Sequence, residues 1–130
     1  MLRKTVVAAA LAAALPSYVS AGEVTLSNAE ISKLLTGNSV QGLHHEKHTR
    51  QYFSKSGLTL WIQQGDVRPS EGRWKAENDS YCSSWTGLWN EESWSCYAIM
   101  HDEKQGLYYF TGEDFRVPFI VKDGHSISFD

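Results

Sequence analysis

Apolar residues recur with the spacing of a helix in one stretch near the start of the chain. Ser27 and Glu30 form an S-x-x-E capping box, and the apolar positions within residues 31–35 then lie on one face. Gly37 is placed to end the helix in the left-handed conformation. The pattern predicts one short helix, and a stripe this short is expected to cover the end of a β structure rather than stand alone.

After residue 37 the spacing of the apolar residues changes to two, and turn-forming residues recur at short intervals. This pattern predicts eight or nine short strands, which lie at residues 39–43, 51–54, 58–63, 73–76, 81–85, 93–100, 107–111, 115–121 and 126–129. Pro118 restricts its strand to an edge or a bulge. Residues 44–50, between the first two strands, and residues 65–71 are interpreted as loops.

Short strands joined by hairpins are typical of an antiparallel sandwich or an up-and-down barrel. The leading helix and the meander favour the barrel. The predicted fold class is therefore mainly β, a small antiparallel up-and-down (lipocalin-like) barrel with one short N-terminal helix and one disulfide. The sequence contains no internal repeat, linker or low-complexity segment, so we expect residues 22–130 to form one domain.

Residues 1–21 have the layout of a secretory signal peptide. A short positive region at residues 3–4 precedes an apolar run at residues 6–15, which is too short to span a bilayer. Small residues then mark a cleavage site after Ala21. The alternative is an ordinary core helix. We expect the chain to be cleaved and exported, to the periplasm or the exterior, without a membrane span in the mature protein.

The charge of the mature chain bears on its partners. Removing residues 1–21 removes two of the twelve basic residues and none of the fifteen acidic ones, which leaves a net charge near −5. Binding to nucleic acid needs clustered cations, so no nucleic-acid partner is predicted. The same charge disfavours an electrostatic role at a membrane surface. We expect a monomer.

The two cysteines, Cys82 and Cys96, predict one disulfide, since an exported chain meets an oxidising compartment. A reactive thiol or a zinc site is the alternative. Neither has its usual sequence support, because the chain has no C-x-x-C motif and no histidine or acid at a ligand spacing from either cysteine. The bridge would join neighbouring strands, and Trp74 and Trp94 are interpreted as core residues beside it.

Several short motifs resemble a family of small exported bacterial proteins of unknown function. They read L-S-N-A-E-I-S-K-L-L-T-G-N-S-V-Q-G, Y-F-S-K-S-G, G-R-W, Y-C-S-S-W, W-S-C-Y and G-L-Y-Y. The shared features are a leading L-x-x-x-E-I-x-x-L-x-x-G helix and a following Gly-Trp and Cys-Trp-Cys pattern. The resemblance covers nearly the whole mature chain and implies a calycin-type barrel. It implies no catalytic residues, because the family has no established activity.

The densest cluster of potential metal ligands consists of His44, His45 and His48 together with Glu46. If the loop brought the three imidazoles together, they could bind zinc or copper, and a haem-handling role is a related hypothesis. The alternative is a solvated loop, because Lys47 and Arg50 lie in the same polar stretch. No cofactor is predicted from the sequence alone.

The aromatic residues supply the main candidate for binding. Many of them are expected to fill the core of a small barrel, and the rest to form an apolar pocket or an exposed recognition loop. Leu88 and Trp89 stand in a polar loop where the strand period requires no buried ring, and Trp85 and Trp61 are the further candidates for binding. The alternative is that these side chains fold back and cap the barrel.

No motif in the sequence assembles a catalytic site. The serines lack a G-x-S-x-G turn, and the paired carboxylates are expected in solvated loops. The prediction is therefore a non-enzymatic exported module that binds a protein partner or a small apolar ligand through an aromatic-rich barrel end. The alternatives are a periplasmic metal- or haem-handling protein and a small hydrolase or isomerase that acts in the barrel mouth.

Overall fold

The alternating part of the sequence forms an antiparallel barrel in the computed structural model, which describes residues 22–85 and 93–129. Within these residues the structure has one helix and nine strands. The elements are β1 (Glu23–Thr25), α1 (Asn28–Leu35), β2 (Ser39–His44), β3 (Lys47–Phe53), β4 (Leu58–Gln63), β5 (Ser70–Glu77), β6 (Ser80–Ser84), β7 (Ser95–Asp102), β8 (Leu107–Thr111) and β9 (Arg116–Lys122). No helix in these ranges is long and apolar enough to cross a membrane.

The strands β2 to β9 follow an up-and-down order. Each pairs with the next along the chain, and β9 pairs with β2, which closes an eight-stranded barrel. β6 pairs with the first half of β7, and β1 pairs with its second half. The predicted fold class, a mainly β up-and-down barrel with one short helix and one disulfide, is confirmed.

The helix begins and ends as its sequence predicts. The Ser27 hydroxyl accepts a hydrogen bond from the Glu30 N–H at 3.2 Å, and the Glu30 carboxylate accepts one from the Ser27 N–H at 2.8 Å, so the capping box is complete. Gly37 then adopts a positive φ of 78°. Ile31 and Leu35 are fully buried, and α1 contacts β5 and β6. The helix thus closes one end of the barrel.

The core lies at the end of the barrel that the helix covers. Its buried members are Leu26, Ile31, Leu35, Val40, Phe53, Trp74, Tyr81, Ile99 and Phe119. Phe53 meets the rings of Trp74 and Tyr81 edge to face, with centroids 5.4 and 5.6 Å apart. The indole N–H of Trp74 donates to the carbonyl of Ser54 at 2.9 Å, so the buried polar atom is satisfied.

The disulfide joins Cys82 and Cys96, as predicted. The two residues stand directly opposite each other in the ladder between β6 and β7. Trp74 is buried, whereas Trp94 is only half-buried. The ammonium group of Lys75 lies 4.3 Å from the centroid of the Trp94 ring. The interpretation of Trp94 as a core residue is therefore wrong, because it stacks beneath a lysine at the surface.

Two of the predicted segments have a different structure, and β1 and the start of β5 lie where no strand was predicted. Residues 44–50 form most of a hairpin rather than a loop, since His45 and Glu46 are a two-residue turn with φ of 49° and 68°. Both angles are positive, as a type I′ turn requires, although neither residue is the usual Asn or Gly. The second stretch, residues 126–129, forms no strand. Instead, the Ser126 N–H donates a hydrogen bond of 2.8 Å to the hydroxyl of Ser39 on β2.

Candidate functional site

The half of the barrel away from the helix is hollow. It contains a cavity of about 860 Å³, a volume in the range of small-molecule sites in proteins. The lining residues are Val40, Gly42, Leu43, His44, His45, Thr49, Gln51, Trp61, Ser70, Glu71, Tyr81, Ser83, Trp85, Ser95, Tyr97, Phe110, Phe115, Val117 and Phe119. Because several of these side chains are also exposed to solvent, the cavity opens at this end.

Small side chains explain why this half is empty. In an eight-stranded barrel the inward side chains just fill the interior when they are large. Here the inward positions far from the helix include Gly42, Thr49, Gly72, Ser83 and Ser95. Their side chains are too short to meet across the barrel, whereas the rings at the helix end do meet.

Two aromatic side chains stand at the mouth of the cavity, and a glycine makes room for each. A Cβ atom on Gly72 would lie 2.5 Å from the indole ring of Trp85, and one on Gly112 would lie 2.4 Å from the ring of Phe115. Trp85 and Phe115 are 40% and 38% exposed. Phe115 also packs edge to face against Tyr97, at 5.0 Å between centroids. The mouth therefore presents apolar rings to solvent.

A polar network crosses the floor of the cavity, between the hollow half and the core. Gln51 is buried, and its amide nitrogen donates to the Thr59 hydroxyl and to the Tyr81 phenol, both at 2.9 Å. Burial raises the pKa of Tyr81 to about 12, and hydrogen bonds from Ser83 and Gln51 only partly oppose this. A phenol is neutral at physiological pH even at its ordinary pKa, and the raised pKa keeps the proton on Tyr81 in more alkaline solution as well.

The walls divide into an apolar and a polar part. Phe110 and Phe119 stack with their centroids 4.2 Å apart, and Val40 and Val117 lie beside them. On the other wall the indole N–H of Trp85 donates to the Ser83 hydroxyl at 3.1 Å. An amphipathic lining of this kind suits a ligand with an apolar body and a small number of polar groups.

The histidine cluster is only partly assembled. The rings of His44 and His45 lie 4.2 Å apart at the rim, and His44 meets Trp61 edge to face at 6.1 Å. His48 stands opposite Leu43 in the hairpin, and Leu43 is the residue before His44. Because successive side chains of a strand point to opposite faces, the His48 side chain lies on the face opposite to that of His44. Among residues 22–85 and 93–129, no three His, Cys, Asp or Glu side chains are grouped to hold a metal ion. The three-histidine site gains no support from this geometry.

The structure places two of the predicted binding residues in the cavity. Trp61 and Trp85 both line it, while Leu88 and Trp89 lie outside the described residues. Gln51 and Phe115 were not predicted. Gln51 shares a face with Phe53 in the strand predicted at residues 51–54, but an amide beside a polar stretch is usually solvated, so the sequence does not mark it as a site residue. Phe115 lies just before β9, and the strand predicted at residues 115–121 places it on the same face as Val117.

Comparison with protein-family models, with curated proteins and with solved structures finds no match for this chain. The resemblance to a family of small exported bacterial proteins therefore stays a prediction.

Proposed function

We propose that this protein is a non-enzymatic binding protein that takes up a small, largely apolar molecule in the cavity of its barrel. The observation that carries the proposal is the half-filled barrel. Large rings and α1 close one end, and the other end keeps an open cavity of about 860 Å³ with aromatic walls. A concave apolar site with few polar groups is the usual form of a small-molecule site.

The charge distribution supports an uncharged or weakly charged ligand. Of the described residues that line the cavity, the ones with an ionisable side chain other than tyrosine are His44, His45 and Glu71, and all three are exposed at the rim. The deeper lining carries hydroxyl, amide and aromatic groups. A ligand with a buried charge would lose its hydration there without gaining a counter-charge.

Export belongs to the same proposal. The bridge between Cys82 and Cys96 supports it, because disulfides persist in oxidising compartments. The signal-like residues 1–21 point in the same direction. The intact mass of the protein recovered outside the cytoplasm tests this, and a chain that begins at Gly22 is expected. A cytoplasmic chain that retains residues 1–21 would contradict it.

The binding function is tested with N-phenyl-1-naphthylamine, an uncharged probe whose fluorescence rises in apolar surroundings. We expect a saturable rise with one probe per chain. Val117→Trp is expected to weaken probe binding about tenfold or more, because residue 117 lines the cavity and the larger ring would occupy it. Ile120→Trp is the matched control, since residue 120 lies on the same strand and is exposed on its outer face.

Two outcomes would overturn the proposal. The first is the absence of a saturable signal up to the solubility limit of the probe. The second is an equal loss of binding in Val117→Trp and Ile120→Trp, which would place the probe outside the barrel. Both variants are to be checked by circular dichroism, so that only folded proteins are compared.

A further inference from the structure

The orientation of the Gln51 amide is fixed by its neighbours. The Thr59 hydroxyl donates its only proton to the carbonyl of Tyr52 at 2.8 Å. Its oxygen, 2.9 Å from the Gln51 amide, must therefore act as the acceptor of that contact, so the amide nitrogen and not the oxygen faces Thr59. The second N–H of the same nitrogen donates to the Tyr81 phenol at 2.9 Å. Both donors of Gln51 are thus engaged.

Two hydrogen-bonding groups are left over at the cavity floor. Within the described part of the chain the Gln51 carbonyl oxygen accepts no hydrogen bond. The Tyr81 oxygen accepts from Gln51, and among the described residues the Tyr81 phenol donates no hydrogen bond. Both residues are less than a tenth exposed and both line the cavity. Buried polar groups are normally paired, so these two point to a ligand.

The two groups define the chemistry that fits them. One is an acceptor and the other a donor, on neighbouring side chains whose amide nitrogen and phenol oxygen lie 2.9 Å apart. A carboxylate would meet the Gln51 oxygen, and an ammonium group would meet the Tyr81 proton, so either ion has one repulsive contact. A hydroxyl or a carboxamide both donates and accepts, and it satisfies both groups without carrying charge into the floor.

We propose that the floor formed by Gln51 and Tyr81 is a subsite for an uncharged hydroxyl or carboxamide group on an apolar, ring-containing ligand. The ring system lies against Phe110 and Phe119, whose stacked faces form the adjoining wall. This inference rests on the proposed function and adds the polar half of the ligand to it. It assigns Gln51 and Tyr81 to specificity and the apolar wall to general affinity.

Four ligands that differ in one substituent test the subsite by calorimetry at neutral pH. They are naphthalene, 2-naphthol, 2-naphthamide and 2-naphthoate. We expect 2-naphthol and 2-naphthamide to bind about tenfold more tightly than naphthalene, as one or two net hydrogen bonds allow. The anion 2-naphthoate is expected to bind no more tightly than naphthalene. Equal affinities for all four, or tightest binding of 2-naphthoate, would overturn the subsite.

The two proposals fail in different ways. If none of the four compounds binds, the proposed function fails. If naphthalene binds and the polar substituents bring no gain, the cavity is confirmed and the subsite is lost. The comparison uses the full-length wild-type chain, so it does not depend on whether any variant folds.

Variants then assign the preference to residues. Tyr81→Phe removes the donor and Gln51→Met removes the acceptor. Each is expected to reduce the preference for 2-naphthol over naphthalene to about twofold while naphthalene still binds. Tyr52→Phe is the matched control, because Tyr52 neighbours Gln51 on β3 but packs its ring against His125 outside the barrel, at 4.4 Å. An undiminished preference in both folded test variants would overturn the assignment.

Discussion

The disulfide reinforces the shortest ladder between successive barrel strands. β6 and β7 pair through three residue pairs, whereas β5 and β6 pair through five. The middle pair of the short ladder is Cys82 and Cys96. Breaking the bridge leaves only the three backbone pairs to hold this part of the wall together. We therefore expect the loss of the disulfide to affect both stability and the cavity.

The expected loss of stability follows from the size of the closed loop. The cysteines are 14 positions apart. For a loop of this size the chain-entropy model gives about 3 kcal/mol of stabilisation, through restriction of the unfolded chain. In a domain of roughly 100 residues, each 1 kcal/mol shifts Tm by about 4–8 °C. A fall in Tm of about 12–24 °C is expected on reduction.

Thermal unfolding followed by circular dichroism measures this shift. The oxidised protein is compared with the protein reduced by a phosphine and with a double variant, Cys82→Ala with Cys96→Ala. A thiol assay on the unfolded chain confirms each redox state. The two perturbed samples should agree, because both remove the same cross-link. A shift of less than about 3 °C in both would refute the argument that the bridge restricts the unfolded chain.

Ligand binding gives a second measurement on the same samples. Tyr81, Ser83, Ser95 and Tyr97 are the sequence neighbours of the two cysteines, and all four line the cavity. Below its Tm the reduced protein should therefore bind N-phenyl-1-naphthylamine several-fold more weakly than the oxidised protein. Unchanged affinity in folded, reduced protein would show that the strand ladder alone holds this wall.

Two further predictions follow from the cavity. Gly72→Ala is expected to lower the free energy of unfolding by about 1–3 kcal/mol and to shift Trp85 emission to longer wavelength, because the new Cβ would lie 2.5 Å from that indole and 2.7 Å from the Ser84 carbonyl. Chemical denaturation and fluorescence measure both effects, and no change in either would contradict the packing. Burial raises the pKa of Tyr81 to about 12, so the neutral phenol contributes to the stability of the fold, and this contribution is fully present below pH 10. It is lost as the pH rises from 10 through 12, because the phenol of the unfolded chain ionises first. Tyr81→Phe should therefore lose less stability than the wild type between pH 9 and 11, and parallel losses would contradict this.

The sequence predicted the local features of the fold well. Both hydrogen bonds of the capping box form between Ser27 and Glu30, and the two cysteines pair as expected. Such features depend on residues that are close in the chain or chemically unique. The three-residue strand β1 was not predicted, because its pairing partner β7 is more than seventy positions away. Nothing local in so short a segment indicates that pairing.

The site was less predictable than the fold. Trp61 and Trp85 were found because tryptophan is conspicuous, but Gln51 was not, because an amide in a polar stretch is usually solvated. Its burial depends on the register between β3 and its neighbours, which the misread turn at His45 and Glu46 obscured. A register error of one residue reverses every side chain of a strand, so the polar floor could not be placed from sequence.

Once the register is known, the cavity follows from a difference in side-chain size between the two ends of the barrel. On three strands the inward residue farthest from the helix is smaller than the one nearest to it. They run from Phe53 through Gln51 to Thr49 on β3, from Trp74 through Gly72 to Ser70 on β5, and from Ile99 through Tyr97 to Ser95 on β7. A barrel that needed only stability would fill both ends, because each missing contact costs packing energy. The emptiness of one end is therefore a property of specific residues, and enlarging Ser95 or Thr49 should remove it while the strand order is preserved.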